Sequence, residues 1–233
     1  MALLSKKDQQ ELMKEFEALT RPVKLVLFTQ DSDCEYCPDT RQIVEEVAGL
    51  SSKIGVEVLD LQAQSAQAAA YGIDKAPGMA MLADGPETVD YGIRYYGIPS
   101  GYEFASLIQD ILMVSRGDSG LAPATRAALA EIKTPMRLQV FVTPTCPYCP
   151  RAVHMAHQMA MENSHITADM VEAIEFPHLA HKYSVMGVPR TVINEVVHIE
   201  GALPEVQLIT RLMTVMNERE MAALTERWRR EWE

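Results

Sequence analysis

The sequence has no long hydrophobic segment and no excess of positive charge. None of its apolar runs approaches the roughly 18 residues that a membrane-spanning helix needs. The stretch from Met1 to Lys14 is charged and lacks the apolar core of a secretory signal. Because the formal net charge is −11, phosphate backbones would repel the chain. We therefore expect a cytoplasmic protein that binds neither membranes nor nucleic acid.

Cysteine is also scarce, and no cysteine stands alone. The four cysteines form two Cys-x-x-Cys pairs, Cys34 with Cys37 and Cys146 with Cys149. No cysteine is left for a structural disulfide framework. In a chain without an evident export signal, such pairs are usually catalytic or metal-binding.

The residues around the two pairs recur along the chain at a nearly constant offset. Cys34-Glu-Tyr-Cys37-Pro38 reappears 112 residues later as Cys146-Pro-Tyr-Cys149-Pro150. Tyr71 and Pro77 recur at the same offset as Tyr183 and Pro189. An internal repeat of this length indicates a duplicated domain. With 233 residues, 48% of them hydrophobic, the chain can fill two cores.

Each copy shows the same succession of elements. The pattern predicts a helix, a buried strand, a helix after the cysteine pair, a second strand, a short helix, two more strands and a final helix. In the second copy, the strand after the cysteine helix is predicted at about Met170 to Ile174. This is an α/β pattern. We predict an N-terminal unit of residues 1–117 and a C-terminal unit of residues 118–233, joined near Arg116 to Gly120.

The chain extends beyond the end of the repeat. Residues 217–233 are predicted to form an extra helix with one apolar face, formed by Met221, Leu224, Trp228 and Trp232. This helix would either pack on its own unit or form a contact between two copies of the chain. A homo-oligomer is therefore one expectation.

The spacing of the cysteines predicts their chemistry. Two intervening residues allow both sulfurs to share the first turn of a helix, where free N–H groups and the helix dipole stabilise a thiolate. The proline after each pair fits this position because an N–H is not needed there. We assign Cys34 and Cys146 as nucleophiles. Cys37 and Cys149 are then the resolving cysteines that release the mixed disulfide.

The two pairs differ in charge. Four carboxylates surround the first pair, and they belong to Asp31, Asp33, Glu35 and Asp39. The stretch from Thr143 to Arg151 has none. Because like charge disfavours a thiolate, we predict a higher thiol pKa at Cys34 than at Cys146. The first pair would then be more reducing and pass electrons to the second, which we predict to be the main working site.

Several longer motifs resemble one known family. They are Arg94-Tyr-Tyr-Gly-Ile-Pro-Ser-Gly-Tyr-Glu-Phe104, Phe141-Val-Thr-Pro-Thr-Cys-Pro-Tyr-Cys-Pro150, Asp169-Met-Val-Glu-Ala-Ile-Glu175 and Val185-Met-Gly-Val-Pro189. Together with the first cysteine pair they resemble the protein disulfide oxidoreductases of archaea and bacteria, which are glutaredoxin-like. The resemblance implies two fused thioredoxin-fold units, each a central mixed sheet flanked by helices.

The resemblance also implies function. It implies dithiol–disulfide exchange with protein clients, electrons supplied by a thioredoxin-reductase-like flavoprotein, and no cofactor other than the redox-active disulfides. Pro77 and Pro189 would be cis prolines facing the cysteines, with the backbones of Ala76 and Val188 available to bind a client strand.

One feature departs from the pattern of thioredoxins. The strands before the two cysteine pairs carry no buried acid. Proton transfer would therefore use another group or water, and Glu172, or Asp60 in the first copy, is a candidate.

Three alternatives remain. Four cysteines in two pairs suit a zinc site, although 108 residues separate the pairs. Cys-Pro-Tyr-Cys is also the motif of glutathione-dependent glutaredoxins. A redox scaffold without turnover is the third alternative.

Overall fold

The computed structural model describes residues 3–216 and, beyond them, residues 222, 225, 226, 229 and 230. The apolar face predicted within 217–233 lies outside the described residues. Within the described part of the chain, no helix is long and apolar enough to cross a membrane.

The N-terminal unit follows the predicted succession closely. Its elements are α1 (Lys6–Glu15), a 3₁₀ turn (Phe16–Ala18), β1 (Val23–Thr29), α2 (Cys37–Ala48), β2 (Ile54–Asp60), α3 (Ser65–Ala70), β3 (Gly78–Ala83), β4 (Val89–Tyr96) and α4 (Glu103–Arg116). The first helix begins at Lys6, where the side chain of Ser5 caps it by accepting the N–H of Asp8.

The C-terminal unit repeats these elements. They are α5 (Pro123–Leu129), β5 (Met136–Val142), α6 (Cys149–Glu162), β6 (Ile166–Glu172), α7 (Pro177–Lys182), β7 (Arg190–Ile193), β8 (Val197–Glu200) and α8 (Glu205–Met216). The predicted limits of β6 are wrong by two to four residues. The strand begins at Ile166, opposite Met136, while Ile174 lies exposed in the turn that follows.

All eight strands belong to one mixed sheet, in the order β2-β1-β3-β4-β6-β5-β7-β8. In each half, the strand before the cysteines runs parallel to one neighbour and antiparallel to the other. The halves join where β4 pairs in parallel with β6, from Ile93 opposite Ala168 to Tyr96 opposite Val171. The predicted fold class is confirmed, with the two central sheets fused into one. The predicted boundary falls in the connection between α4 and α5.

Helices cover both faces of the sheet. The larger core lies on the face covered by α2, α4, α6 and α8 and includes Val44, Ile111, Val153 and Leu212. The smaller core lies under α3 and α7 and includes Phe28 and Phe141. Strands buried on both faces explain the nearly continuous apolar runs of β1 and β5.

The sheet directions place both cysteine pairs at the same end of the molecule. β1 and β5 run in the same direction, because two antiparallel and two parallel pairings link them. Both cysteine loops therefore follow strand ends on one side of the sheet. Four inter-strand steps separate β1 from β5. At about 4.8 Å per step, this corresponds to roughly 19 Å.

Candidate active site

The first cysteine pair is a disulfide at the start of α2. The Cα atoms of Cys34 and Cys37 are 5.4 Å apart. Cys37 is the first residue of the helix and is only 3% exposed, whereas Cys34 lies half-buried in the preceding turn. Pro38 follows in the first helical turn, as predicted. Cys34 is therefore the sulfur that an incoming thiol or disulfide meets first.

Cys34 opens into a cleft of about 650 Å³ that both units line. The N-terminal unit contributes the cysteine loop and the Ala76–Pro77 segment, and the C-terminal unit contributes Ile174, Glu175 and Pro177. These three residues follow β6, which is the strand that joins the two units. The cleft thus depends on the junction between the two units.

One glutamate of the C-terminal unit, Glu175, lines this cleft, and a second, Glu172, is bonded to its backbone. Glu172 is 2% exposed, and its carboxylate accepts the backbone N–H of Glu175 at 2.6 Å. Glu175 accepts the N–H of Ile98 at 2.6 Å. Burial raises the pKa of both, and for Glu175, where Glu172 and Glu35 add repulsion, it reaches about 7. One carboxylate oxygen of each is buried without a partner among the described residues.

The second cysteine pair is a disulfide with similar geometry but less exposure. The Cα atoms of Cys146 and Cys149 are 5.5 Å apart, and Cys149 begins α6. Cys146 is 7% exposed and Cys149 is fully buried, while Tyr148 between them is exposed. The second nucleophile is therefore more enclosed than Cys34.

A loop of the N-terminal unit closes one side of this second site. The N–H of Tyr102 donates to the carbonyl of Pro144 at 2.9 Å, two residues before Cys146. Gly101 has φ +60°, and a side chain there would collide with the same carbonyl. Each cysteine pair is therefore bordered by residues of the opposite unit.

The next residue of this loop, Glu103, is a buried acid that the sequence analysis missed. It begins α4 and is 1% exposed. Burial raises its pKa to about 7, although Ser106 donates a hydrogen bond to one of its oxygens at 2.7 Å. The other oxygen has no partner among the described residues. Glu103 is thus a buried acid with a raised pKa, one residue after the loop that contacts Pro144.

The sequence candidates for proton transfer have other contacts. The carboxylate of Asp60 accepts the N–H groups of Gln62 and Ala63 and holds the turn after β2. Glu172 holds the matching turn after β6. A role for either in proton transfer stays a prediction.

Both predicted proline loops have the expected backbone. The Ala76–Pro77 and Val188–Pro189 peptide bonds are cis. Ala76 and Val188 are half-buried, and within the described ranges neither forms a backbone hydrogen bond. In this part of the chain, their N–H and C=O groups are free to pair with an extended peptide.

A polar cluster links the two units behind the second site. Asp110 on α4 is fully buried and accepts from Tyr95 at 2.5 Å. It also contacts Nδ1 of His154 at 2.8 Å and Nδ1 of His157 at 2.5 Å, both on α6. Burial would raise the pKa of Asp110, but the two histidines lower it to about 2. The cluster fastens α4 to the helix that carries Cys149.

The separation of the pairs excludes a shared metal site. A tetrahedral zinc ion holds its cysteine sulfurs at about 2.3 Å. Strands roughly 19 Å apart along the sheet cannot bring all four sulfurs to one ion. The zinc alternative is therefore wrong for the four cysteines taken together.

Comparisons with known proteins agree with this geometry. A thioredoxin-domain family model matches residues 136–214. A protein disulfide oxidoreductase from Aeropyrum pernix superposes with a TM-score of 0.84 at 29% identity, covering 91% of this chain and 93% of that chain. A mutant of the alkylhydroperoxide reductase AhpF from Enterococcus faecalis gives 0.82 at 30% identity, covering 90% and 99%.

Curated relatives include longer proteins. The AhpF component of the alkyl hydroperoxide reductase of Pseudomonas aeruginosa is 24% identical over 217 residues, which are 93% of this chain and 39% of the relative. A Bacillus subtilis protein named NADH dehydrogenase is 25% identical over 170 residues, or 73% and 30%. The chain thus spans between 30% and 39% of these relatives.

The fold and the two disulfides define a thioredoxin-fold protein with two redox-capable cysteine pairs. The chain belongs to the family of thioredoxin-fold disulfide oxidoreductases.

Proposed function

We propose that this protein catalyses thiol–disulfide exchange with protein clients, using its two cysteine pairs and no other redox group. One observation carries the proposal. Each cysteine pair lies at the start of a helix. In the same unit, the residue before the cis proline, Ala76 or Val188, has no backbone hydrogen bond among the described residues. A client strand that pairs with this backbone would have its disulfide beside the nucleophilic sulfur.

The exchange requires two displacement steps. The thiolate of Cys34 or Cys146 attacks one client sulfur, so that a mixed disulfide forms while the client S–S bond breaks. The released client sulfur takes up a proton. The thiolate of Cys37 or Cys149 then attacks the mixed disulfide and releases the second client sulfur. Two electrons pass from the dithiol to the client, and the protein is left oxidised.

We also propose that Glu103, which directly follows the loop in contact with Pro144, serves the second step at the second site. A resolving cysteine must lose its proton before it attacks, and Cys149 is fully buried. A carboxyl group whose pKa lies near 7 can accept that proton and return it. In this proposal, Glu103 would take the place of the acid that the apolar strand β5 lacks.

We also propose a flavoprotein reductase as the electron donor. The support is the similarity to the AhpF components of alkyl hydroperoxide reductases and to a protein named NADH dehydrogenase.

The cysteine usage supports a cytoplasmic location, since no cysteine is left for a structural disulfide.

The two pairs cannot exchange electrons by direct contact in the described arrangement. Exchange needs a sulfur-to-sulfur encounter, and roughly 19 Å separates the strands that carry the pairs. Electron flow from the first pair to the second would therefore pass through a client or a second molecule. The ranking of the second pair as the main site stays a prediction. The exposure of the nucleophiles argues against it, since Cys34 is more exposed than Cys146.

Insulin reduction tests the proposal. We expect the wild-type protein to reduce insulin disulfides with dithiothreitol as electron source, and the variant with all four cysteines changed to serine to fall to the uncatalysed rate. Variants carrying Cys34→Ser with Cys37→Ser, or Cys146→Ser with Cys149→Ser, then separate the two sites. Full activity in the four-serine variant would refute the proposal. Rates that depend on glutathione and glutathione reductase would indicate a glutaredoxin instead.

A further inference from the structure

The cleft at Cys34 is strongly acidic. Four of its ten lining residues carry carboxylates, namely Asp31, Asp33, Glu35 and Glu175, and none of the ten is basic. Asp31, Asp33 and Glu35 are exposed at the mouth of the cleft. Glu175 comes from the opposite unit, but its pKa is raised to about 7 and one of its oxygens accepts the N–H of Ile98, so the exposed negative charge is that of Asp31, Asp33 and Glu35.

These carboxylates are not neutralised by the protein. None of the four has an ion-pair partner among the described residues. Lys75 is the basic residue nearest in sequence to the proline loop, but its side chain contacts other groups. Its ammonium pairs with Asp74 and lies 3.7 Å from the centroid of the Tyr96 ring. The charge of the cleft is therefore available to a ligand.

The second site offers a matched contrast. No acid lies between Thr143 and Arg151, and Arg151 is exposed. A groove lined by residues of α7 and by the segment 184–186, which precedes the Val188 loop in sequence, is mainly small and apolar and contains no acid. The same chain therefore presents one cysteine loop with exposed carboxylates and one with none, on the same side of its sheet.

We propose that the Cys34 cleft selects disulfides flanked by lysine or arginine, and that the second site does not share this selectivity. This inference rests on the proposed exchange activity and names the clients of its first site. Basic residues beside a client disulfide would meet the exposed carboxylates of Asp31, Asp33 and Glu35 at the mouth of the cleft. Such complementarity would speed the encounter and disfavour acidic clients.

Single-turnover reduction of two peptides tests the selectivity. The peptides share one intrachain disulfide and differ only in flanking residues, which are lysines in one and glutamates in the other. The proteins are full-length and pre-reduced, one with Cys146→Ser and Cys149→Ser and one with Cys34→Ser and Cys37→Ser. Acid quenching, alkylation and mass spectrometry report the oxidation of the remaining pair.

We expect the ratio of the lysine-peptide rate to the glutamate-peptide rate to be about tenfold larger at the first site than at the second, at low salt. This tenfold difference between the two sites should fall toward one in about 0.5 M salt, where screening is strong. Asp33→Asn combined with Glu35→Gln should remove most of the difference at low salt. Asp39→Asn, which removes a nearby exposed charge outside the cleft, serves as the control and should change it far less.

The outcomes are distinguishable. Equal ratios at the two sites would overturn the selectivity and leave the exchange activity intact. An effect of Asp39→Asn as large as that of the paired cleft variant would overturn the role of the cleft. Failure of the first site to reduce either peptide would overturn both the selectivity and the exchange function of that pair.

Discussion

The buried carboxyl group of Glu103 should make the stability of the protein fall as pH rises. Its pKa is about 7 in the folded protein, against an ordinary value of 4.5. Between these values the folded protein keeps a proton that the unfolded chain has lost, so folding becomes less favourable as pH increases. Because one pKa unit corresponds to about 1.4 kcal/mol, the loss across this window is about 3 kcal/mol. The group is almost fully buried, so solvent screening reduces the effect little.

Glu103→Gln should remove this dependence. Glutamine has the shape of the protonated acid and can still accept the hydrogen bond of Ser106. Urea unfolding of the oxidised proteins from pH 4.5 to pH 8 gives the difference in unfolding free energy between variant and parent. We expect the variant to gain about 3 kcal/mol relative to the parent over this range. Glu131→Gln controls for the loss of one exposed charge. Parallel curves for parent and Glu103→Gln would refute the reasoning.

Two substitutions test the contacts between the units. Gly97 has φ +93°, and a Cβ there would lie 2.6 Å from the Cβ of Glu172, so Gly97→Ala should lower the unfolding free energy by about 1–3 kcal/mol. Gly85→Ala, where no atom lies within 4 Å of the added carbon, should cost less than about 1 kcal/mol, and equal losses in urea unfolding would contradict the close contact. Asp110→Ala removes the acceptor of three buried contacts and should cost about 3–5 kcal/mol. Because its pKa is lowered to about 2, the contribution of Asp110 should be present above about pH 4 and lost as pH falls toward 2; a urea midpoint that Asp110→Ala leaves unchanged would refute this account.

The sequence was sufficient for most features that depend on local pattern. The repeat, the buried strands and the prolines after the cysteines predicted both units and placed Cys37 and Cys149 in the first turns of their helices. The limits of β6 were less certain, because Ile174 is apolar and therefore extends the pattern of a strand. It lies in a turn because Glu172 accepts the N–H of Glu175 and so ends the strand.

Features that depend on the junction between units could not be predicted. No periodicity encodes the pairing of β4 with β6, and without it nothing places Glu175 beside Cys34. In the sequence, Glu103 cannot be distinguished from an ordinary acid in the first turn of a helix, where acids are common. Its burial is a property of the packed structure, in which the loop before it contacts Pro144 of the other unit.

The edge-to-edge joining of the two units explains why duplicated cysteine pairs are not equivalent. A simple tandem repeat would surround each pair with its own unit, and the two sites would differ only through local sequence. Here β6 and the turn after it complete the first site, while the loop after β4 closes the second. From the opposite unit, the first site gains Glu175 and one wall of its cleft, and the second gains the loop that covers Pro144. The four carboxylates near Cys34 in the sequence are thus only part of the difference, since the opposite unit contributes Glu175 to the first site and the Gly101–Tyr102 loop to the second.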